Sequence, residues 1–184
     1  MSHNHIEIYD NSLNLKECEG IIDYFEQSEY TKKGLVGRTN INKEWKESTD
    51  LQMWFNRQDL LPNKILGDAL RIGLKKYTEK YPMLEDLSLW NVGPDYNIQK
   101  YTEGEGYYVM HCEHDVPDLN RIMAWMFYLN DAKCGTRFYY PTRDVKAKRG
   151  RLVIWPASWT HPHSGITPNR GIKYIATGWF CYVT

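Results

Sequence analysis

GIKYIATGWF, residues 171–180, is the stretch on which the fold turns. Read as extended chain, it places Lys173, Ile175, Thr177 and Trp179 on one face and Ile172, Tyr174, Ala176 and Gly178 on the other. Both faces are largely apolar, so a lysine inside this strand must either snorkel outward or meet a buried anion. An unpaired buried ammonium costs several kcal/mol. Similar aromatic and β-branched runs fill the chain from Leu87 onward: SLWNV (88–92), YNIQKY (96–101), IMAWMFYL (122–129), TRFYY (136–140) and RLVIW (151–155), separated by Gly, Pro, Asn and Asp clusters.

The front of the chain has a different period. Between Asn14 and Gln27, Cys18, Ile21, Ile22 and Phe25 fall at i, i+3, i+4, i+7 behind candidate caps at Ser12 and Asn14, which predicts an amphipathic helix. A second helix is predicted from about Pro62 to Tyr77, with Leu66, Leu70, Leu74 and Tyr77 as its stripe and Pro62 in its first turn. Helices followed by many strands imply an α+β fold, a curled sheet or double-sheet jelly roll whose outer face the N-terminal helices cover. One domain spanning 1–184 is expected, with 1–86 mainly helical support and 87–184 the β core.

Composition narrows the function. The chain is 42% hydrophobic and 14% aromatic, which is globular rather than disordered. Its 23 basic and 23 acidic residues balance, so no long-range field draws it to nucleic acid or an anionic membrane, and neither is an expected partner. The N-terminus MSHNHIEIYDNSL lacks the basic flank and apolar run of a signal peptide, and no stretch approaches the length of a transmembrane span. Cys18, Cys112, Cys134 and Cys181 lie far apart without a C-x-x-C pair, which fits reduced thiols and a cytoplasmic protein.

The chemistry concentrates at HCEHD, 111–115. If YYVMHCE is extended, His111 and Glu113 project together while Cys112 turns away, making a two-pronged chelate. A third ligand must come from His3, His5, His114, His161 or His163, of which the last two follow strand RLVIW, where a neighbouring strand could bring one opposite His111. Two histidines and a carboxylate on one face of a metal leave positions open, the arrangement typical of non-haem Fe(II) oxygenases. An anionic cosubstrate beside that metal would meet the need of Lys173.

From Tyr101 to Trp179 the chain resembles the Fe(II)- and 2-oxoglutarate-dependent dioxygenases of the prolyl 4-hydroxylase type, in wording like the small members found in phages and bacteria. The segments that carry the resemblance are YTEGEGYYVMHCE, RIMAWMFYLND, GTRFYYP, GRLVIWP and HSGITPNRGIKY, in the family's order, with Lys173 ten residues after His163 and Trp179 six after Lys173. The resemblance implies a double-stranded β-helix, with His111, Glu113 and His163 as iron ligands. It makes Lys173 the partner of the distal carboxylate of 2-oxoglutarate and Tyr128 a hydrogen-bond donor beside it. Tyr101 would reach the cosubstrate from the other side, and Thr177 and Trp179 would line the same pocket. It further implies O2 as cosubstrate, ascorbate as a candidate reductant, and hydroxylation of a carbon centre with release of succinate and CO2. If the chain is phage-encoded, the host cytoplasm is the expected compartment. The family usually has Asp where Glu113 stands, and often Gly-Gly where this chain has Cys134-Gly135.

Competing readings stay in view. His161 lies two residues from His163, so both could share a face; His114 and Asp115 read as the start of a loop; snorkelling is the alternative reading of Lys173. The run KAKRGR (146–151) reads as a solvated turn. A non-catalytic jelly-roll binding module and a cupin-type hydrolase or isomerase are the alternative functions. The expected substrate is a prolyl residue, another peptide or amino acid, or a different small molecule. The loop Val116 to Arg121 and the segment Lys32 to Thr49 are candidate substrate contacts or lids, with Arg137, Tyr139 and Trp159 as candidate substrate-facing residues.

Overall fold

The computed structural model describes residues 4–36, 41–140 and 142–183. Along these residues run β1 (Glu7–Tyr9), α1 (Leu15–Glu26), β2 (Lys32–Lys33), β3 (Thr49–Trp54), α2 (Leu61–Lys80), a 3-10 turn (Pro82–Asp86), β4 (Trp90–Tyr101), β5 (Arg121–Tyr128), β6 (Gly135–Phe138), β7 (Arg143–Lys146), β8 (Arg151–Pro156), β9 (His163–Ile166) and β10 (Lys173–Tyr182). Seven strands form a major sheet ordered β1-β8-β5-β10-β4-β3-β2, and three form a minor sheet ordered β7-β6-β9. All pairings within both sheets are antiparallel. This is the rolled double sheet expected from the strand-rich half of the sequence.

The alternation read in GIKYIATGWF organises the molecule. Tyr174, Ala176 and Phe180 join Ile98, Trp125, Phe127 and Ile154 on the outer face of the major sheet, where Cys18, Ile21 and Phe25 of α1 and Leu66, Leu70 and Tyr77 of α2 cover them. Each such side chain contributes about 1.5–3 kcal/mol on full burial. Ile175 faces the interior of the roll with Ala124, Met126, Tyr128, Val153 and Trp155, closed by Phe138 and Val145 of the minor sheet. Asn14 caps α1: its side chain accepts from the Glu17 amide at 3.1 Å while Glu17 accepts from the Asn14 amide at 2.7 Å. α2 extends beyond the expected Pro62–Tyr77 at both ends. No helix among the described residues is long and apolar enough to cross a membrane.

Several elements depart from expectation. The first 86 residues also supply β1, β2 and β3, which widen the major sheet at both edges; two of the three are too short to show a period. The last three residues of SLWNV and all of YNIQKY belong to one strand, β4, whose register with β10 shifts between Gly178 and Phe180. YYVMHCE is not a regular strand: within it only Tyr107 and His111 form isolated bridges, to Lys46 and His163. The KAKRGR turn closes at Gly150, whose φ of +73° suits glycine and where a Cβ would collide with the Leu13 carbonyl.

Candidate metal centre and cosubstrate pocket

His111 and His163 meet across a single antiparallel rung, each donating its amide to the other's carbonyl, at 2.9 and 2.8 Å. The rung sets the two imidazoles side by side, with ring centroids 4.5 Å apart. Each ring is oriented by its own backbone: His111 Nδ1 lies 3.0 Å from the Val109 carbonyl and His163 Nδ1 3.1 Å from that of His161. A carbonyl can only accept, so Nδ1 carries a proton in both rings and Nε2 is the atom each turns to Glu113, as an N–H donor to the carboxylate or, once that proton is displaced, as a ligand to a metal. Tyr107 stacks on His111 at 3.7 Å, and Trp155 meets the His163 ring edge-on at 5.1 Å.

Glu113 completes the group. Its amide donates to the Ala157 carbonyl, and its Oε1 lies 3.2 Å from His163 Nε2 and 3.7 Å from His111 Nε2. Among the described residues this is the one cluster of three such side chains whose ligand atoms fall together, all within 4.8 Å. Burial alone would push the Glu113 carboxyl pKa up, but the facing imidazoles outweigh it and hold the group well below the usual carboxylate range. Burial, with the neighbouring His163 ring, lowers the pKa of His111. One carboxylate and two imidazoles converging on a point form a donor set that a divalent metal accepts.

The competing ligands are elsewhere. His161 Nδ1 lies 2.8 Å from Thr160 Oγ1 and its Nε2 2.8 Å from the Asn4 carbonyl, so both nitrogens are engaged away from Glu113. His114 Nδ1 bonds the Arg121 carbonyl on an exposed loop, and Asp115 accepts from the Val116 amide. Cys112 does turn aside, its thiol facing the His114 carbonyl. His3 lies outside the described residues.

Lys173 does not snorkel. It is 3% exposed, its Nζ lies 3.3 Å from the Ile166 carbonyl and 3.5 Å from that of Gly135, and the Tyr101 ring is 4.5 Å away. Among the described residues no carboxylate pairs with it. Burial pushes its pKa down to about 8. Carbonyl dipoles and an aromatic face leave the ammonium short of a counter-charge, which is the need that the sequence pattern raised.

The other expected pocket residues share this interior, and each of their hydroxyls has a protein partner. Tyr101 donates to Gln99 Oε1 at 2.7 Å, and Gln99 in turn donates to Asp50 at 3.0 Å. Tyr128 donates to Thr136 at 2.7 Å. Thr177 donates to the Trp125 carbonyl at 3.0 Å, and Trp179 donates its indole N–H to Glu113 Oε2 at 2.8 Å. Arg137 does not face the site: it lies between Thr136 and Phe138 on β6, whose side chains point inward, so alternation sends it outward to a two-pronged pair with Asp144. Tyr139 and Trp159 are exposed.

Sequence reading missed two groups. Arg121 lies 3.6 Å from the centre of the Trp179 ring and 3.7 Å from Glu113 Oε2, although nothing in its local sequence sets it apart from a loop arginine. Lys46, 5% exposed, pairs with Asp50 at 2.6 Å, its Nζ 5.9 Å from the centre of the Tyr107 ring. That end of the Lys32 to Thr49 segment is therefore pinned wall rather than lid; residues 37–40 of it lie outside the described residues.

Residues 96–181 match the model of the 2OG-Fe(II) oxygenase superfamily. The chain carries a 2OG-Fe(II) oxygenase domain. The match begins on β4 and ends on β10, and so takes in His111, Glu113, His163 and Lys173. The oxygenase is similar in fold to a prolyl hydroxylase from Trichoplax adhaerens solved with a hypoxia inducible factor peptide, at a TM-score of 0.78, 15% identity and coverage of 97% of this chain and 84% of that one. It is also similar to a Pseudomonas putida prolyl-4-hydroxylase (TM-score 0.71, 17% identity, 98% and 94% covered). A viral collagen prolyl hydroxylase from Paramecium Bursaria Chlorella virus-1, solved with 2OG, aligns at a TM-score of 0.68 and 20% identity, with 97% of each chain covered. No curated protein sequence matches the chain. The oxygenase depends on Fe(II) and 2-oxoglutarate and uses O2 as cosubstrate, which the donor set and the buried ammonium fit.

Proposed function

We propose that this oxygenase hydroxylates a prolyl residue in a peptide, with His111, Glu113 and His163 as the iron ligands and Lys173 as the anchor for the distal carboxylate of 2-oxoglutarate. The observation that carries the reading is the pairing of two features within one interior: three convergent ligand atoms, and a buried ammonium without a carboxylate partner. When bound, Fe(II) and 2-oxoglutarate supply the activation of O2 that hydroxylates a C–H bond and releases succinate and CO2.

The chain's own residues do the positioning. The Val109 and His161 carbonyls fix both imidazole tautomers, and Tyr107 keeps the His111 ring from rotating. Lys173 holds the far end of the cosubstrate, and Tyr101 backs it with its ring face, its proton being given to Gln99. Tyr128 and Thr177 shape the wall on the interior face. A peptide substrate is supported by what the Trichoplax and viral proteins are named for, and by the exposed aromatics Tyr139, Tyr140 and Trp159, whose faces suit an extended chain and a pyrrolidine ring. The whole chain is read as one catalytic domain acting in a reducing cytoplasm, that of the host if the chain is phage-encoded, to which its four free thiols are suited.

Anaerobic addition of Fe(II) and 2-oxoglutarate is expected to give a weak visible charge-transfer band that His111→Ala and Lys173→Met both lose. Proline-containing peptides should then couple succinate release to a mass gain of one oxygen on proline, in buffer with ascorbate as reductant. Coupling to free amino acids alone would defeat the peptide assignment; absence of both band and succinate would defeat the ligand assignment.

A further inference from the structure

Glu113 stands where the family resemblance leads one to expect aspartate, and its carboxylate is carried further from the backbone by one carbon–carbon bond, about 1.5 Å. A longer arm with an extra torsion can turn both oxygens toward the same metal. In this structure the two oxygens are separated by their partners. Oε1 faces the two Nε2 atoms, while Oε2 accepts the Trp179 indole N–H at 2.8 Å.

Trp179 is itself held. The Arg121 guanidinium lies 3.6 Å from the centre of its ring, with Nη1 3.7 Å from Glu113 Oε2 and 3.4 Å from the Glu113 carbonyl. Asp118 pairs with Arg121 Nη2 at 3.3 Å. The register shift between β10 and β4 falls opposite Trp179, where an irregularity can re-aim a side chain. The Glu113 amide is tied to Ala157, so both ends of the residue are fixed.

We propose that Trp179 and Arg121 are positioning residues that keep Glu113 a one-oxygen ligand, and so preserve the metal position that a two-oxygen glutamate would fill. This rests on the ligand assignment made above. Three protein donors and a chelating 2-oxoglutarate leave a metal of six positions a single open one, and capture of that position by Oε2 would close it. Trp179 therefore acts on the carboxylate rather than as simple pocket lining.

Mn(II) makes the open position measurable without turnover, through water-proton relaxation. Under argon, the Mn(II)·2-oxoglutarate complex of the wild type is expected to retain an exchangeable inner-sphere water. W179F keeps the ring but removes the N–H; its complex should lose most of that relaxivity while still binding Mn(II) at least as tightly as the wild type, because a second carboxylate oxygen replaces the water. R121M should lower the relaxivity the same way by less. In the metal-free wild type, the Trp179 indole N–H resonance should lie downfield and exchange slowly, and E113A should abolish both properties; this reading stands even if W179F fails to fold. Wild-type relaxivity in W179F, or an indole resonance indifferent to E113A, would overturn the proposal. If instead H111A binds Mn(II) as tightly as the wild type, the ligand assignment itself fails.

Discussion

Lys173 and Glu113 occupy one interior with opposite electrostatic balances, and each makes a residue-level prediction. Glu113 is held ionised by its neighbours, so Glu113→Ala should abolish metal binding, whereas Asp115→Ala, whose carboxylate only caps a loop amide, should leave it intact; metal titration of the two variants checks this. Lys173 has its pKa lowered from an ordinary 10.5 to about 8. Below about pH 8 the free protein carries the buried charge and above it the amine is neutral, so if Lys173 anchors 2-oxoglutarate as proposed, the cosubstrate meets a cation only in the lower range. Affinity for 2-oxoglutarate should therefore weaken as pH rises through 8, by up to about tenfold per pH unit until the ordinary lysine range is reached. Calorimetry with Mn(II) in place of iron would show it, with proton uptake accompanying binding. By the same linkage the unliganded protein sheds the cost of this charge as pH climbs above 8. Lys173→Met should thus keep or raise the melting temperature while losing the cosubstrate, separating function from fold. His111, Glu113 and Lys173 were legible as residues because a period of two assigns faces. The direction of a hydroxyl was not, since Tyr101 and Tyr128 are turned by partners 2 and 8 positions away whose identity no local pattern encodes.

At the scale of elements, β3 and its approach are more than an edge of the sheet. Lys46 and Asp50 form a buried pair, Ser48 donates to Asp50 at 2.7 Å, and through Gln99 the pair reaches Tyr101. Lys46→Met leaves Asp50 buried without its cation and should cost about 3–5 kcal/mol, read by urea unfolding; Lys46→Met with Asp50→Leu should recover most of that loss. The helices were read from sequence because an apolar stripe and a cap are local signals, as Cys18, Ile21, Phe25 and Asn14 show. β1, β2 and β3 were not, because pairing gives them their form, β1 to β8, β3 to β4 and β2 to β3. For YYVMHCE the facing of His111 and Glu113 survived although the strand did not, because the single rung to His163 supplies the constraint that a ladder would have given.

At the scale of the whole molecule, the N-terminal segment closes the roll. β1 covers the edge of β8, Tyr77 donates to the His5 carbonyl at 2.8 Å, and the Asn4 carbonyl meets His161, two residues before His163. Removing residues 1–9 should bare an edge strand and loosen the turn that carries His163, so self-association on gel filtration and weaker metal binding should appear together. The overall roll was visible in the count and spacing of strands, while its closure depended on contacts between residues more than a hundred positions apart. The single rung between His111 and His163 has a last consequence. These two residues belong to stretches separated by roughly 50 residues of chain, a loop whose closure in the unfolded state carries an entropic penalty of a few kcal/mol. An ion held by both works as a removable cross-link, so the metal is a fastener as well as a reagent. Chelation should then lower resistance to proteolysis first in the irregular span from Thr102 to Asn120, before the helices or the major sheet give way.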